Sequence, residues 1–204
     1  MPPIFSPEEL SVKVERAALQ AGTVQFVTDR RLNRVREMWC AAIFGAAYAR
    51  KFTSCSIDIE ELDEQRDYDF HLILPNGRLP FQVSEVLDSD RLRDHEYRKD
   101  AFEKIIHDLD ARQALCDEDA AHRIREQLQA KIDKRYSNPH ELHILLYVNL
   151  KCFGLSWQSI KAATEELSPN FSSVWLMTDQ LMSCIHGGNI WPSIDGWWSI
   201  EDVG

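Results

Sequence analysis

Hydrophobic residues recur along this chain at two alternating spacings. Between about residues 31 and 51 apolar side chains return every three or four positions, which predicts an amphipathic helix. Other segments alternate apolar and polar residues, or are short and continuously apolar, which is typical of strands. The predicted elements are, in chain order, a helix at 31–51, strands at 56–59, 68–74 and 78–86, helices at 91–106 and 120–136, a strand at 142–149, a helix at 157–167 and a last core strand at 173–177. This order predicts an α/β fold with a mixed central β-sheet flanked by helices.

Two of these strand-like runs are separated by Asn76-Gly77 and predict a β-hairpin. This dipeptide is the strongest short-range signal for a type I′ turn, because both central residues of that turn take a positive φ. The turn would place Leu74 opposite Leu79 and His71 opposite Gln82. Since side chains alternate along a strand, four polar residues then share one face of the hairpin. They are Asp69, His71, Gln82 and Ser84, with Phe70, Leu72, Phe81 and Val83 on the other face.

This polar face resembles the PD-(D/E)XK nuclease superfamily, which has the restriction-endonuclease-like fold. The resemblance rests on an acid on one strand and, on the next, an acid or amide followed two residues later by a further polar residue. It implies that Asp69 is the first metal-binding acid, Gln82 the second ligand and Ser84 the residue at the usual lysine position. Ser84 departs from the pattern, because a serine carries no fixed positive charge. The element order over residues 31–185 is also similar to that of the superfamily.

The resemblance implies a divalent-metal-dependent nuclease that hydrolyses DNA phosphodiester bonds with Mg²⁺ or Mn²⁺. Glu85 would reach the metal only through a β-bulge, so Asp69 pairs with Gln82, with Glu85 or with both. Glu37, on the helix before the first of these strands, is a further candidate ligand. Each candidate also has a structural interpretation. Asp69 could bond to backbone, Glu85 could pair with a downstream arginine, and Glu37 could pair with Arg34 one turn away.

The helix predicted after the hairpin begins with basic and aromatic residues. Lys99 on this helix is the candidate for the missing catalytic lysine. Side chains that could bind nucleic-acid phosphates are Arg91, Arg93, His95 and Arg98. The alternative is that they are ordinary charges on a solvated helix surface.

Net charge opposes a nucleic-acid partner. The chain carries a formal charge of −10, whereas phosphate binding draws on clustered Lys and Arg. Basic residues could still gather into a local rim, among them Arg30, Arg31, Arg34, Arg91, Arg93, Lys131 and Lys134. The alternative function is a catalytically inactive nuclease-like fold that binds a protein partner or regulates one through its acidic face or its Trp-rich tail.

The 204 residues divide into a helical preface at 1–30, the α/β domain at 31–185 and a Trp-rich tail at 186–204. Ser6-Pro7-Glu8-Glu9 is typical of a helix start. We expect the tail to pack on the domain, although its indoles could form a homodimer contact.

His143 is expected to be a core histidine. Five scattered cysteines without C-x-x-C spacing predict reduced thiols in a cytoplasmic protein, and no segment is apolar enough to predict a membrane span.

Overall fold

The computed structural model describes residues 3–22, 25–26, 29–59, 67–87, 116–150, 155–188 and 195–201. Its helices are α1 (Pro7–Ala21), α2 (Asn33–Lys51), α3 (Cys116–Asp133) and α4 (Trp157–Thr164). Its strands are β1 (Ile4–Phe5), β2 (Ser56–Asp58), β3 (Phe70–Leu74), β4 (Gly77–Leu87), β5 (His143–Asn149), β6 (Ser173–Met177), β7 (Leu181–His186) and β8 (Trp198–Ser199). The strands form one sheet in chain order. Within it β5 is parallel to both β4 and β6, and the other neighbours are antiparallel.

Helices cover both faces of this sheet. On one face, α1 and α2 pack against a core that includes Leu10, Phe44, Phe81 and Trp175. On the other face, α3 and α4 pack against a second core that includes Ile124, Ile144 and Leu176. Strand β5 lies between two parallel neighbours and is buried on both sides, as its continuous apolar run predicts. The predicted mixed sheet flanked by helices is confirmed.

The N-terminal helix begins where its sequence indicates. The Ser6 side chain accepts the backbone N–H of Glu9 at 3.2 Å, and a Glu9 carboxylate oxygen accepts the backbone N–H of Ser6 at 2.8 Å. These two bonds form the reciprocal capping box of a helix N-terminus. The helix contributes Leu10 and Val14 to the same core as α2.

The hairpin turn differs from the predicted one. Leu74 pairs with Gly77, so the two turn residues are Pro75 and Asn76. Neither has a positive φ, which rules out the type I′ turn. Proline locks φ near −65° and suits the second position of a type I turn, while a glycine suits its fourth. The register therefore shifts by two residues, which leaves every side chain on the face that the sequence predicted.

The sheet also continues beyond the predicted last strand. After β6, the Thr178 hydroxyl accepts the N–H groups of Gln180 and Leu181 and closes a tight turn into β7. Strand β8 in the tail then pairs with β7, and its Trp198 ring lies 6.1 Å from that of Trp175, edge to face. Of the chain that is described, no helix has the length and apolarity to cross a membrane.

Gly188→Ala is expected to lower the free energy of unfolding by about 1–3 kcal/mol. Gly188 has φ +55°, and a Cβ built on it would lie 2.6 Å from the backbone oxygen of Ser172. Gly77→Ala is the matched control, because its φ is not positive and nothing lies within 4 Å of its added Cβ. Urea unfolding of both variants measures the difference. Equal losses would contradict the assigned clash.

Candidate functional site

The candidate site forms at the edge of β4 where that strand extends past the first residue of its antiparallel neighbour β3. The first paired residue of β3 is Phe70, opposite Phe81, and the backbone N–H of Asp69 still donates to the Phe81 oxygen at 2.7 Å. Backbone groups two residues apart in a strand point the same way, so those of Val83 point toward the space beyond the start of β3. The Asp69 carboxylate occupies that space and accepts the Val83 N–H at 2.7 Å. A side chain thus satisfies a strand edge that has lost its neighbour.

The carbonyl of the same peptide segment is bound by two further side chains. The Val83 oxygen accepts from Lys131 Nζ at 3.2 Å and from Gln82 Nε2 at 3.3 Å. Gln82 Nε2 also donates to Asp69 Oδ2 in a short hydrogen bond. Lys131 comes from α3 and is only 4% exposed. We call Asp69, Gln82, Val83 and Lys131 the edge network.

Burial shifts the pKa values of both ionisable groups of the edge network toward neutral pH. Burial raises the pKa of Asp69 to about 6, and the charge of Glu37 adds to this rise; the Val83 N–H, Lys131 and Arg34 oppose it. Burial lowers the pKa of Lys131 to about 8, with Lys134 adding to the fall and Asp69 and Glu37 opposing it. Between about pH 6 and pH 8 the network therefore holds a carboxylate and an ammonium together.

The position of Lys131 in the sequence contains a signal for its burial. Ile124, Leu128 and Lys131 follow one another at spacings of four and three residues, and the side chains of Ile124 and Leu128 are fully buried. A lysine at the next position of an apolar helical stripe must enter the core with its amine. The sequence-based interpretation counted Lys131 only as part of a basic rim, so it missed this residue of the site.

The structure brings two of the predicted site residues, Asp69 and Gln82, into contact. Ser84 lies on the same side of β4, where its hydroxyl accepts a short hydrogen bond from Gln127 of α3. Glu37 forms an ion pair with Arg34 at 3.1 Å, and its charge acts on the edge network without a contact.

Glu85 is not brought to this face. The pairing of β4 with β5 is continuous from residue 81 to residue 87, so β4 has no bulge there. Glu85 therefore alternates away from Gln82, and its Oε1 accepts the side-chain N–H of Asn149 at 2.9 Å. The pairing with β5 leaves no extra residue for the bulge that would carry Glu85 to this face, and the role of Glu85 as a ligand stays a prediction.

The predicted Lys99 and the predicted phosphate-binding residues lie outside the described residues. These phosphate-binding candidates are Arg91, Arg93, His95 and Arg98.

His143 is a core histidine as expected. It is 1% exposed, its Nδ1 lies 2.6 Å from the Ser173 hydroxyl oxygen, and burial lowers its pKa to about 4.

The donor set does not support the prediction of a metal-binding protein. Within residues 3–22, 25–26, 29–59, 67–87, 116–150, 155–188 and 195–201, no group of three or more His, Cys, Asp or Glu side chains could hold a metal ion. Asp69 Oδ2 is already taken by two N–H donors. The roles of Asp69, Gln82, Glu85 and Glu37 as ligands, and of Mg²⁺ or Mn²⁺ as cofactor, stay predictions.

Comparison with known proteins assigns no family to this chain. No family model matches it, and no curated protein matches it. Among solved structures, it is similar to a protein of unknown function from Pseudomonas aeruginosa whose description places it in the monooxygenase superfamily. The two share 18% identity with a TM-score of 0.45, over 91% of this chain and 88% of the other. A likeness of this size supports no function for this chain.

These findings overturn the nuclease prediction. Neither a family model nor a curated protein links the chain to the PD-(D/E)XK superfamily. The identification as a DNA-cleaving nuclease is therefore wrong, and its alternative, an inactive nuclease-like binding protein, has no support either. The physical reason is that a two-residue polar motif on a hairpin is also what a strand edge needs to satisfy its own backbone, as Asp69 and Gln82 do at Val83.

Proposed function

We propose that this chain is an enzyme in which the edge network performs acid–base chemistry. Asp69 accepts a proton from substrate or from a bound water, and the ammonium of Lys131 stabilises the negative charge that develops. One observation carries the proposal: a buried carboxyl and a buried amine, on either side of the Val83 peptide, have pKa values displaced from opposite directions to about 6 and about 8. Such pairs cluster at functional sites.

The hydrogen bonds suit Asp69 to the role of base. Gln82 Nε2 and the Val83 N–H both bind Oδ2 and hold the carboxylate in one orientation. Oδ1 accepts no hydrogen bond from any residue of the described chain, which leaves it as the oxygen that takes the proton. A pKa near 6 keeps this group ionised at neutral pH and makes it a stronger base than an ordinary aspartate.

The position of Lys131 suits it to the complementary role. Its amine is fixed by the Val83 oxygen in a place where little water screens its charge. Two buried charges of opposite sign do little for folding stability, because taking both out of water costs about as much as their attraction returns. Function is therefore the better explanation for its presence.

The chemistry that fits is removal of a proton with stabilisation of the resulting anion. Hydrolysis by an activated water and proton abstraction beside a carbonyl both belong to this class. The comparisons give no support for a restriction-endonuclease-like core, and this proposal does not rest on one.

A substrate panel read as a pH profile tests the proposal. Carboxylic esters, amides, glycosides and oxo acids are assayed with the purified protein, with and without added Mg²⁺ or Mn²⁺. We expect turnover in one class, with kcat/KM rising through about pH 6 as Asp69 loses its proton and falling through about pH 8 as Lys131 loses its own. A need for added metal would confirm the predicted cofactor. Turnover that stays constant from well below pH 6 to well above pH 8, or no turnover in any class, would contradict the proposal.

A further inference from the structure

A separate cleft of about 410 Å³ opens beside the start of β3. Its walls come from three parts of the chain: residues 67–71, strand β4 and the segment that leads into β5. The lining side chains are Asp67, Tyr68, His71, Pro80, Ser137, Asn138, Glu141 and Leu142. Asp69, Gln82, Val83 and Lys131 are not among them. The volume lies within the range of pockets that bind small molecules.

The cleft is negative. Asp67 and Glu141 bring two carboxylates from different segments, and no Lys or Arg is among its described lining residues. Asp67 is held in place because its Oδ2 accepts the backbone N–H of Ser137 at 2.7 Å. Glu141 is exposed at the rim. Cations are therefore the charged ligands that this cleft would attract.

The same cleft presents an aromatic wall. The rings of Tyr68 and His71 are in contact and tilted by 56° to each other, with centroids 4.1 Å apart. Asp58, which is 1% exposed, lies beneath this wall with its Oδ2 3.9 Å from His71 Nδ1, and it also pairs with Arg78. A cation placed over a tyrosine ring is attracted by the negative face of the ring, and a planar apolar body can lie against the same surface.

Tyr136, the residue before the lining residue Ser137, carries a buried hydroxyl. The Tyr136 hydroxyl has no hydrogen-bond partner among the residues that the structure describes, and the charges of Asp67 and Asp69 act on it. Burial first, then these two carboxylates, raises the pKa of Tyr136 to about 12. The Tyr136 hydroxyl therefore stays protonated at neutral pH.

We propose that this cleft binds a small organic cation, a primary amine or amidine carried on a flat apolar body. The carboxylates of Asp67 and Glu141 bind the cationic group, and Tyr68 with Leu142 and Pro80 contacts the body. The inference concerns a site other than the edge network and does not depend on the acid–base function.

Calorimetric titration with four matched probes tests this inference: benzylamine and benzamidine as cations, benzyl alcohol as the neutral analogue and benzoate as the anion. We expect both cations to bind about tenfold more tightly than benzyl alcohol, and benzoate not to bind. Equal binding of benzylamine and benzyl alcohol would overturn the inference, and so would the absence of saturable binding by either cation.

Variants of the cleft locate the binding. Glu141→Gln is expected to weaken benzylamine binding about three- to fivefold while leaving benzyl alcohol unchanged. Tyr68→Leu should weaken both cations more than it weakens benzyl alcohol. Glu165→Gln, an exposed acid on the C-terminal side of α4, is the matched control and should change nothing. A loss as large in Glu165→Gln as in Glu141→Gln would mean that only the net charge of the protein matters. Asp69→Asn should leave benzylamine binding intact, which separates this inference from the proposed function.

Discussion

Lys131→Met is expected to reduce kcat/KM about 10²- to 10⁴-fold, the range for loss of one positioned acid–base or charge-stabilising group. Methionine fills nearly the same volume but carries no charge, so the anion that forms in the reaction loses its buried counter-charge. The pKa of Asp69 should also rise further above 6, because Lys131 is one of the groups that lower it. Steady-state kinetics on the substrate found in the panel measures the first effect, and NMR titration of the Asp69 carboxyl carbon measures the second.

The matched control for this prediction is Lys134→Met, one turn along the chain. Lys134 is exposed, and it lowers the pKa of Lys131 without contacting Asp69. Its replacement should leave activity within about threefold of wild type and move the basic limb of the pH profile upward. Equal activity losses in the two variants would show that general positive charge, and not the buried amine, supports turnover.

Folding stability separates a catalytic role of the edge network from a structural one. The folded pKa of Lys131 lies below its usual 10.5, so charging this amine costs stability as the pH falls from 10.5 through about 8. The folded pKa of Asp69 lies above its usual 3.8, so ionising this carboxyl costs stability as the pH rises from 3.8 through about 6. At pH 7 both costs are present. Asp69→Asn/Lys131→Met removes both charges together and is expected to be as stable as wild type or more stable, by up to about 4 kcal/mol. A large destabilisation of this double variant would mark the pair as structural.

Trp175→Ala is expected to lower the free energy of unfolding by about 3–5 kcal/mol, the second large effect. Trp175 is completely buried, and its ring meets those of Phe44, Tyr48 and Phe52 edge to face at 5.2–6.3 Å. The deletion leaves a cavity at the centre of the core shared by α1, α2 and the sheet. The sheet cannot close this cavity, because the backbone of β6 at Trp175 is held by its pairing with β5 and β7.

Trp175→Phe is the control for this cavity. It keeps a ring in place but removes the indole N–H that donates to the Ser173 hydroxyl at 2.8 Å, and it should cost about 1–2 kcal/mol. Urea unfolding by circular dichroism measures both variants. A loss below about 1 kcal/mol for Trp175→Ala would show that the site collapses after all.

The local pattern of the chain was enough to place most elements. Among the described elements, helices α2, α3 and α4 and strands β2 to β6 follow from apolar periods of 3.6 and 2, because each element must turn its apolar side toward a core. The start of α1 follows from its N-cap pattern. The faces of the hairpin were also predictable, since a register error of two residues preserves the alternation of side chains. The turn itself was not predictable, because Asn76-Gly77 favours a type I′ turn whereas Pro75, with its φ near −65°, favours a type I turn that begins one residue earlier, and the second one forms.

Some residues of the candidate site could likewise be predicted from the sequence, and others only from the structure. Asp69 and Gln82 could be selected from sequence, because a carboxylate and an amide in an apolar strand context need partners. The sequence by itself determined the layered α/β architecture and the polar face of the hairpin, since both depend on the period of side chains along one segment. Only the tertiary structure decided that β3 begins one residue after Asp69, that Val83 has no strand partner on the β3 side, and that Lys131 reaches it from a position 48 residues away. Those contacts join segments far apart in the chain, and no local period records which segments meet.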